Sequence, residues 1–451
     1  MAVLFAEQLL TVDGWVQSAR LHLLDGRIAK LETSVAAQAG DERHAMIVPA
    51  LSNLHSHAFQ RGMAGLAEVR GSASDNFWSW RETMYRFALR MSPDQLEAVA
   101  AQAYVEMLEA GYCRVGEFHY LHHDVDARPY ADIAEMAGRI VAAAAHTGIA
   151  LTLLPVFYAH SSFGAQPPNE RQCRFISDLD SYARLSDRCR QLVAKLPSGI
   201  VGVAPHSLRA VNPQELTEVA RLLPEAPVHI HIAEQLGEVR DCIAWSGARP
   251  VRWLLDHAPV DARWCLVHAT HVDADEVSGI AGSGAVVGLC PLTEANLGDG
   301  IFPVAEYLKA GGRFGVGTDS NVCISVSGEL SLLEYSQRLS RKVRNVVKRG
   351  AQSTGAALFS YALDGGRRAL ADARFGIAEG ADADLVSLTV SVPATIGRSG
   401  DAVLDSWIFA SAGGVVDCLW VNGIKQVENG RHRQRERVQT AYKKAITELC
   451  A

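Results

Sequence analysis

Residues 48–59 read VPALSNLHSHAF, a short apolar run that ends in two histidines, His55 and His57, one residue apart. In a strand, residues i and i+2 face the same side, so both imidazoles converge on one point if the chain stays extended. The stretch therefore reads as a buried strand whose far end carries chemistry. The fold turns on whether that pattern recurs.

It recurs along the chain. Eight buried-type runs, at 47–52, 112–117, 149–155, 200–205, 228–232, 265–268, 284–290 and 313–317, alternate with helical stretches, as in βα units around a parallel sheet. Polar residues gather where these runs end. His55 and His57 follow the first, Glu117, His119 and Tyr120 the second, Tyr158 and His160 the third, and His206 and Arg209 the fourth. The fifth gives His229, His231 and Glu234 (HIHIAEQ), the sixth His268 and His271 (LVHATH), and the eighth Asp319 (GVGTDSN). The expected class is α/β, a (β/α)₈ TIM-type barrel over residues 48–371, about 320 residues against the ~250 typical of that fold. A doubly wound open sheet is the alternative, and the lack of a Gly-rich phosphate loop after any strand disfavours it.

Residues 1–47 and 372–451 have a different texture, with short β runs and hairpin signals at Asp25-Gly26 and Asn429-Gly430, followed by a polar helix from about residue 437. They are expected to form one discontinuous small domain. The run 140–158 reads as a helix end, a Gly cap at Gly148 and a buried strand, not as a membrane span. A net charge of −7 argues against a chain built to hold nucleic acid or coat an anionic membrane. The basic runs 338–349 and 431–437 read as solvated faces or loops. Nine scattered cysteines without CxxC spacing suggest neither a disulfide framework nor a thiolate zinc site, and fit a reducing cytoplasm. The sequence starts without a basic segment or a small-residue cleavage site, so no signal peptide is expected.

Convergent imidazoles suggest a metal. Zn²⁺ accepts neutral imidazole and carboxylate ligands, and catalytic sites leave a position open for water. His55, His57, one histidine of the fifth strand and Asp319 would cage a single ion, and strand parity admits either His229 or His231. Fe²⁺ and Mn²⁺ accept the same ligand set.

VPALSNLHSH, HIHIAE and GVGTDSN resemble the metal-dependent amidohydrolase superfamily, specifically its mononuclear deaminase branch. FGIAEGADADLVSL (375–388) is similar to that family's return from barrel to β-sandwich, and CPLTEANLGDG (290–300) to its loop after strand seven. The resemblance thus implies that the terminal domain is a small β-sandwich. One departure is Ala50, where the family usually has Gly after the proline. The resemblance selects His231 as ligand, three residues before a catalytic Glu234, and leaves His229 structural. Dinuclear members use a lysine at the end of strand four, whereas Pro205-His206 stands here, so one metal is implied. In such a site the ion makes water nucleophilic, Asp319 and His268 orient that water and take its proton, and Glu234 shuttles a proton to the substrate nitrogen and the departing amine.

The residues around the expected mouth differ from a flat purine pocket. Arg81 and Arg209 could each clamp a carboxylate. With Gln60, Tyr120 and His206 they resemble the subgroup that deiminates N-formimino-L-glutamate, a step of histidine degradation. The implied partner is a small-molecule dicarboxylate, and the family-level expectation is a homodimer. The competing expectations are deamination of a purine, a pyrimidine or an S-adenosylhomocysteine-like substrate, and a non-enzymatic metal-binding scaffold. The presence of Glu234, His268 and Asp319 together disfavours the scaffold.

Overall fold

The structure is a computed structural model that describes residues 2–68 and 77–451. Both ends of the chain build one eight-stranded sheet. Its order is Arg431–His432, Ile424–Glu428, Val416–Val421, Leu385–Leu388, Glu42–Pro49, Ala2–Thr11, Gly14–Leu24 and Arg27–Glu32. Both hairpin signals form two-residue turns with every turn residue left-handed, at φ 50° and 79° for Asp25-Gly26 and 52° and 71° for Asn429-Gly430. That geometry matches the twist of the paired strands. Leu4, Leu9, Leu21, Ile28, Ile47, Leu385 and Trp420 pack a core separate from the main one.

The first expected strand, 47–52, needs correction, because it is the meeting point of two strands. Glu42–Pro49 belongs to the terminal sheet, where Val48 pairs with Val386, and Leu51–Ser56 starts the parallel strands. The run MIVPAL is uniformly apolar, so its pattern does not mark the break. The chain changes partner at Ala50, whose N–H donates to Asp384 O at 3.0 Å.

Two parallel sheets fill the middle of the chain. One comprises Leu51–Ser56, Tyr112–His119, Ala150–Phe157 and two short pieces, Ile200–Val201 and Ala204–Pro205, which both pair with Ala150–Phe157. The other runs Val228–Ile232, Trp264–His268, Val286–Leu289 and Arg313–Val316. Parallel bridges Val203–Val228 and Ser56–Asp319 link the two sheets at both seams. The expected strand 200–205 is broken at Gly202, where a Cβ would lie 2.7 Å from Pro227 O and 2.6 Å from Leu154. The neighbouring chains come too close there for any side chain. The helix Thr354–Ala369 crosses even closer to Arg313–Val316, through Gly365 against Phe314 O.

The run 140–158 behaves as expected from its sequence. Helix Glu135–Thr147 ends at Gly148 with φ 76°, and the buried strand Ala150–Phe157 follows. Among the described residues, no helix is long and apolar enough to cross a membrane. The final helix is Arg435–Cys450.

Candidate metal centre and substrate pocket

The strand ends bring His55, His57, His231 and Asp319 into one cluster, with all four ligand atoms within 4.8 Å of one another. His55 Nε2 lies 3.2 Å from His57 Nε2 and 3.0 Å from His231 Nε2, and Asp319 Oδ1 lies 3.4 and 3.2 Å from the first two. Backbone pairing sets this up. Asp319 N–H donates to His55 O and His57 N–H to Asp319 O, so the last parallel strand is stitched to the first at the two histidines. Asn321 reinforces the seam by donating to Ser56 Oγ and to the carbonyls of His57 and Asp319, each at 3.1 Å.

The donor set fits a divalent cation. His57 Nδ1–H donates to Phe118 O at 2.9 Å and His231 Nδ1–H to His206 O at 3.1 Å, which leaves both Nε2 atoms as bare lone pairs facing the centre. His55 Nε2 can carry at most one proton between them. A carboxylate beside three crowded imidazole nitrogens needs a positive centre. Burial, followed by the neighbouring imidazoles, holds His231 well below its usual pKa, so it is neutral and able to ligate. Burial would raise Asp319, but hydrogen bonds with His55 and His57 outweigh it and keep the carboxyl ionised.

Glu234 and His268 flank this cluster. His268 Nε2 is 3.8 Å from Glu234 Oε1 and 3.8 Å from Asp319 Oδ2, and its Nδ1 is 3.2 Å from Glu294 Oε1. Burial opposes charge on His268, but Glu234, the Glu294 hydrogen bond and Asp319 together outweigh it and raise the group to about 10. Burial, against the pull of His268, lifts Glu234 to about 7, a value suited to giving and taking protons near neutrality. The backbone here is strained. Ala233, His268, Ala269, Asp319 and Asn321 all adopt positive φ between 45° and 68°. Such conformations in residues other than glycine are costly and concentrate at functional sites.

The cluster opens onto a pocket. All five expected substrate residues, Gln60, Arg81, Tyr120, His206 and Arg209, line it together with His57, His231, Glu234, His268 and Asp319. Gln60 Nε2 donates to Tyr120 OH at 3.0 Å, and its buried Oε1 is unpartnered. Arg81 Nη2 donates to Tyr158 OH at 3.3 Å and lies 5.2 Å over the Tyr85 ring.

Some lining and supporting residues escaped the sequence reading. Met84, Tyr85, Phe175 and Leu297 line the pocket, and Glu294 holds His268. A visible signal existed for Glu294 and Leu297, which lie inside the CPLTEANLGDG loop; Met84, Tyr85 and Phe175 had none. The remaining strand-end and loop histidines have partners outside the cluster. His160 pairs with Glu215 at 2.9 Å, while His122 and His123 bond the carbonyls of Val156 and Ile176. His119 packs edge-on against His122, and His271 N–H donates to Ala233 O. His229 bonds Ala369 O at 2.7 Å, away from the cluster.

Residues 46–425 match the amidohydrolase family, and residues 1–45 match the N-terminal domain of the formimidoylglutamate deiminase HutF. Formimidoylglutamate deiminase of Pseudomonas aeruginosa is 48% identical over 452 residues, covering 100% of both chains. A 5-methylthioadenosine/S-adenosylhomocysteine deaminase of Natronomonas pharaonis is 25% identical over 86% of this chain and 83% of the relative. A solved amidohydrolase from Brucella melitensis superposes with a TM-score of 0.98 at 55% identity, covering 100% of both chains. A zinc-bound adenosine deaminase from Xanthomonas campestris reaches 0.81 at 20% identity, over 100% and 98% of the two chains, a likeness of fold alone.

Proposed function

Because this chain belongs to the amidohydrolase family, we infer that it hydrolyses N-formimino-L-glutamate to N-formyl-L-glutamate and ammonia, a step of histidine degradation. One observation carries this reading: the pocket that contains the His/Asp cluster, Glu234 and His268 also contains Arg81 and Arg209. Two guanidinium groups in one small cavity match a substrate with two carboxylates. A purine or pyrimidine base carries no carboxylate for the pair to clamp.

His55, His57, His231 and Asp319 would hold one divalent ion, with Zn²⁺ the best match to three imidazoles and a carboxylate. Bound there, the ion supplies Lewis acidity that makes water a competent nucleophile near neutral pH. His268 and Asp319 orient the attacking water, and the ionised Asp319 accepts its proton. Water oxygen adds to the C=N carbon, and Glu234 protonates the imino nitrogen. Glu234, now a carboxylate, takes the proton of the new C–OH and delivers it to the same nitrogen as the C–N bond breaks, the formyl C=O forms and ammonia leaves; the proton held by Asp319 then restores Glu234. Gln60, Tyr120 and His206 orient the amidine, and the two arginines fix the carboxylates.

The same reading takes the linked parallel sheets as a closed (β/α)₈ barrel over 48–371, with the two seam bridges in its support. It takes residues 1–47 with 372–451 as a small β-sandwich domain, supported by their separate core. A homodimer working in the cytoplasm completes it, and the mass of the purified particle in solution checks the dimer. The deciding experiment is an ammonia-release screen of the metal-loaded protein on N-formimino-L-glutamate, its aspartate analogue and a purine panel. Release from a purine but not from formiminoglutamate would sink the reading.

A further inference from the structure

The terminal sheet opens where its short strand Leu385–Leu388 ends. That strand lies between Glu42–Pro49 and Val416–Val421, and on the first of these it pairs only with residues 46–49. Before Met46 the strand Glu42–Pro49 runs without it. Glu42 and His44 are paired on their other side with Leu4 and Ala6, so a gap in the sheet lies beside them.

Side chains from both ends of the sequence meet at that gap. One ligand atom each from Glu42, His44 and Cys418 lies within 4.8 Å of the other two, the same limit that the catalytic cluster meets. His44 Nε2 is 3.0 Å from Glu42 Oε1, and Asp417 Oδ2 is 3.7 Å from Cys418 Sγ. His44 and Cys418 are 8% and 4% exposed, and the cysteine is in no disulfide. Two ligands of a tetrahedral ion, each about 2.0–2.3 Å from it, stand roughly 3.3–3.6 Å apart. The observed spacing is near that value, so small side-chain shifts suffice.

The donor types narrow the ion. Imidazole, thiolate and carboxylate together suit Zn²⁺, whereas Mg²⁺ and Ca²⁺ prefer oxygen alone. Burial holds His44 below its usual pKa against the pull of Glu42, so the imidazole is neutral and has a bare nitrogen. Burial, then the charge of Asp417, pushes the Cys418 thiol up to about 11, opposed by a hydrogen bond with Ser387. The thiol therefore keeps its proton until a divalent ion arrives. On binding, the S–H proton passes to solvent and the sulfur lone pair goes to the metal.

A resident cation also touches the cluster. Lys425 Nζ is 2.7 Å from Glu42 Oε1 and 2.9 Å from Glu428 Oε1. The ammonium balances Glu42 but cannot take the place of the thiol proton, and Glu428 keeps it seated when Glu42 turns to an ion.

We propose that Glu42, His44 and Cys418 hold one structural Zn²⁺ in the terminal sheet, with water in the fourth position, as a site separate from the catalytic cluster. The ion joins the strand that leads into Leu51–Ser56 to the strand that returns after the parallel sheets. Its effect is on stability, because a site assembled only in the folded chain adds its binding free energy to folding. No CxxC spacing marks it, since its ligands come from distant segments.

The test compares wild type, Cys418→Ser and His44→Asn, each saturated with Zn²⁺, desalted, and checked for folding by circular dichroism. Elemental analysis should find two ions per chain in wild type and one in each variant, with kcat and KM unchanged and the melting temperature lowered. Reloading with Co²⁺ should give wild type a near-ultraviolet thiolate-to-cobalt charge-transfer band that Cys418→Ser lacks. The band needs that variant as control, because Cys290 lies in another cluster with His268 and Glu294. A wild-type count of one ion, or a count that either variant leaves unchanged, would overturn the proposal. So would a band that survives Cys418→Ser.

Discussion

A single side chain divides the chemistry of this site. Glu234 and Asp319 are both buried carboxylates within reach of His268, yet their environments pull them apart. Asp319 is hydrogen-bonded to imidazoles and stays ionised, while Glu234 has few such partners and is raised to about 7 by burial. Such a split leaves one carboxylate ionised to accept the water's proton and the other poised to deliver protons to the substrate. Glu234→Gln should therefore keep its metal content and lose roughly 10²–10⁴-fold in kcat, the usual worth of a positioned acid–base group. Steady-state rates beside elemental analysis check this, and unchanged turnover would refute the shuttle. The four ligand residues make a second prediction. Removing the ion with a chelator should abolish ammonia release and lower the melting temperature, because the converging lone pairs lose their counter-charge. Zn²⁺ should restore both.

Elements add what single residues lack, because they carry groups from distant parts of the chain into register. The helix Val326–Arg341 brings Glu329 to the start of the helix Pro291–Leu297, where its carboxylate accepts the Leu292 N–H at 2.9 Å. Glu329 is fully buried. Burial drives its pKa well above 4.5, with the Leu292 bond pulling the other way and the charges of Glu294 and Asp319 adding to the rise. The folded state then binds this proton more tightly than the unfolded chain does. Its contribution to stability is fullest below the unfolded value and declines as pH rises toward the folded one. Glu329→Gln keeps the acceptor for Leu292 and removes the titration. Its melting temperature should exceed the wild type's by more at pH 8 than at pH 5, and a pH-independent difference would reject this account.

At the scale of the molecule, the terminal sheet and the parallel sheets meet over a buried ionic network. Arg367 pairs with Asp372, and with Asp384 at 3.1 Å, and donates to Ala50 O, while Arg114 pairs with Asp372 at 3.1 Å and reaches Ser198 O. Asp384 also accepts the Asn422 N–H at 2.7 Å. The network thus spans the point where the chain leaves one sheet for the other. Truncating one partner of a buried pair strands its opposite charge. Arg367→Met should destabilise the fold by about 3–5 kcal/mol in urea unfolding. It should shift probes of both sheets together, and a shift confined to one would show that the junction does not couple them.

Local pattern carried a good part of this architecture. Period-two alternation put His55 and His57 on one face, turn pairs such as Asp25-Gly26 fixed hairpins, and polar residues at apolar strand ends marked where a pocket would open. Those signals are short-range, so they can be read without knowing which strands are neighbours. The change of partner at Ala50, Glu294 beneath His268, and Tyr158 beneath Arg81 were decided by the tertiary structure alone. Each depends on a hydrogen bond between segments far apart in sequence, and no local periodicity encodes which distant group will arrive to make it.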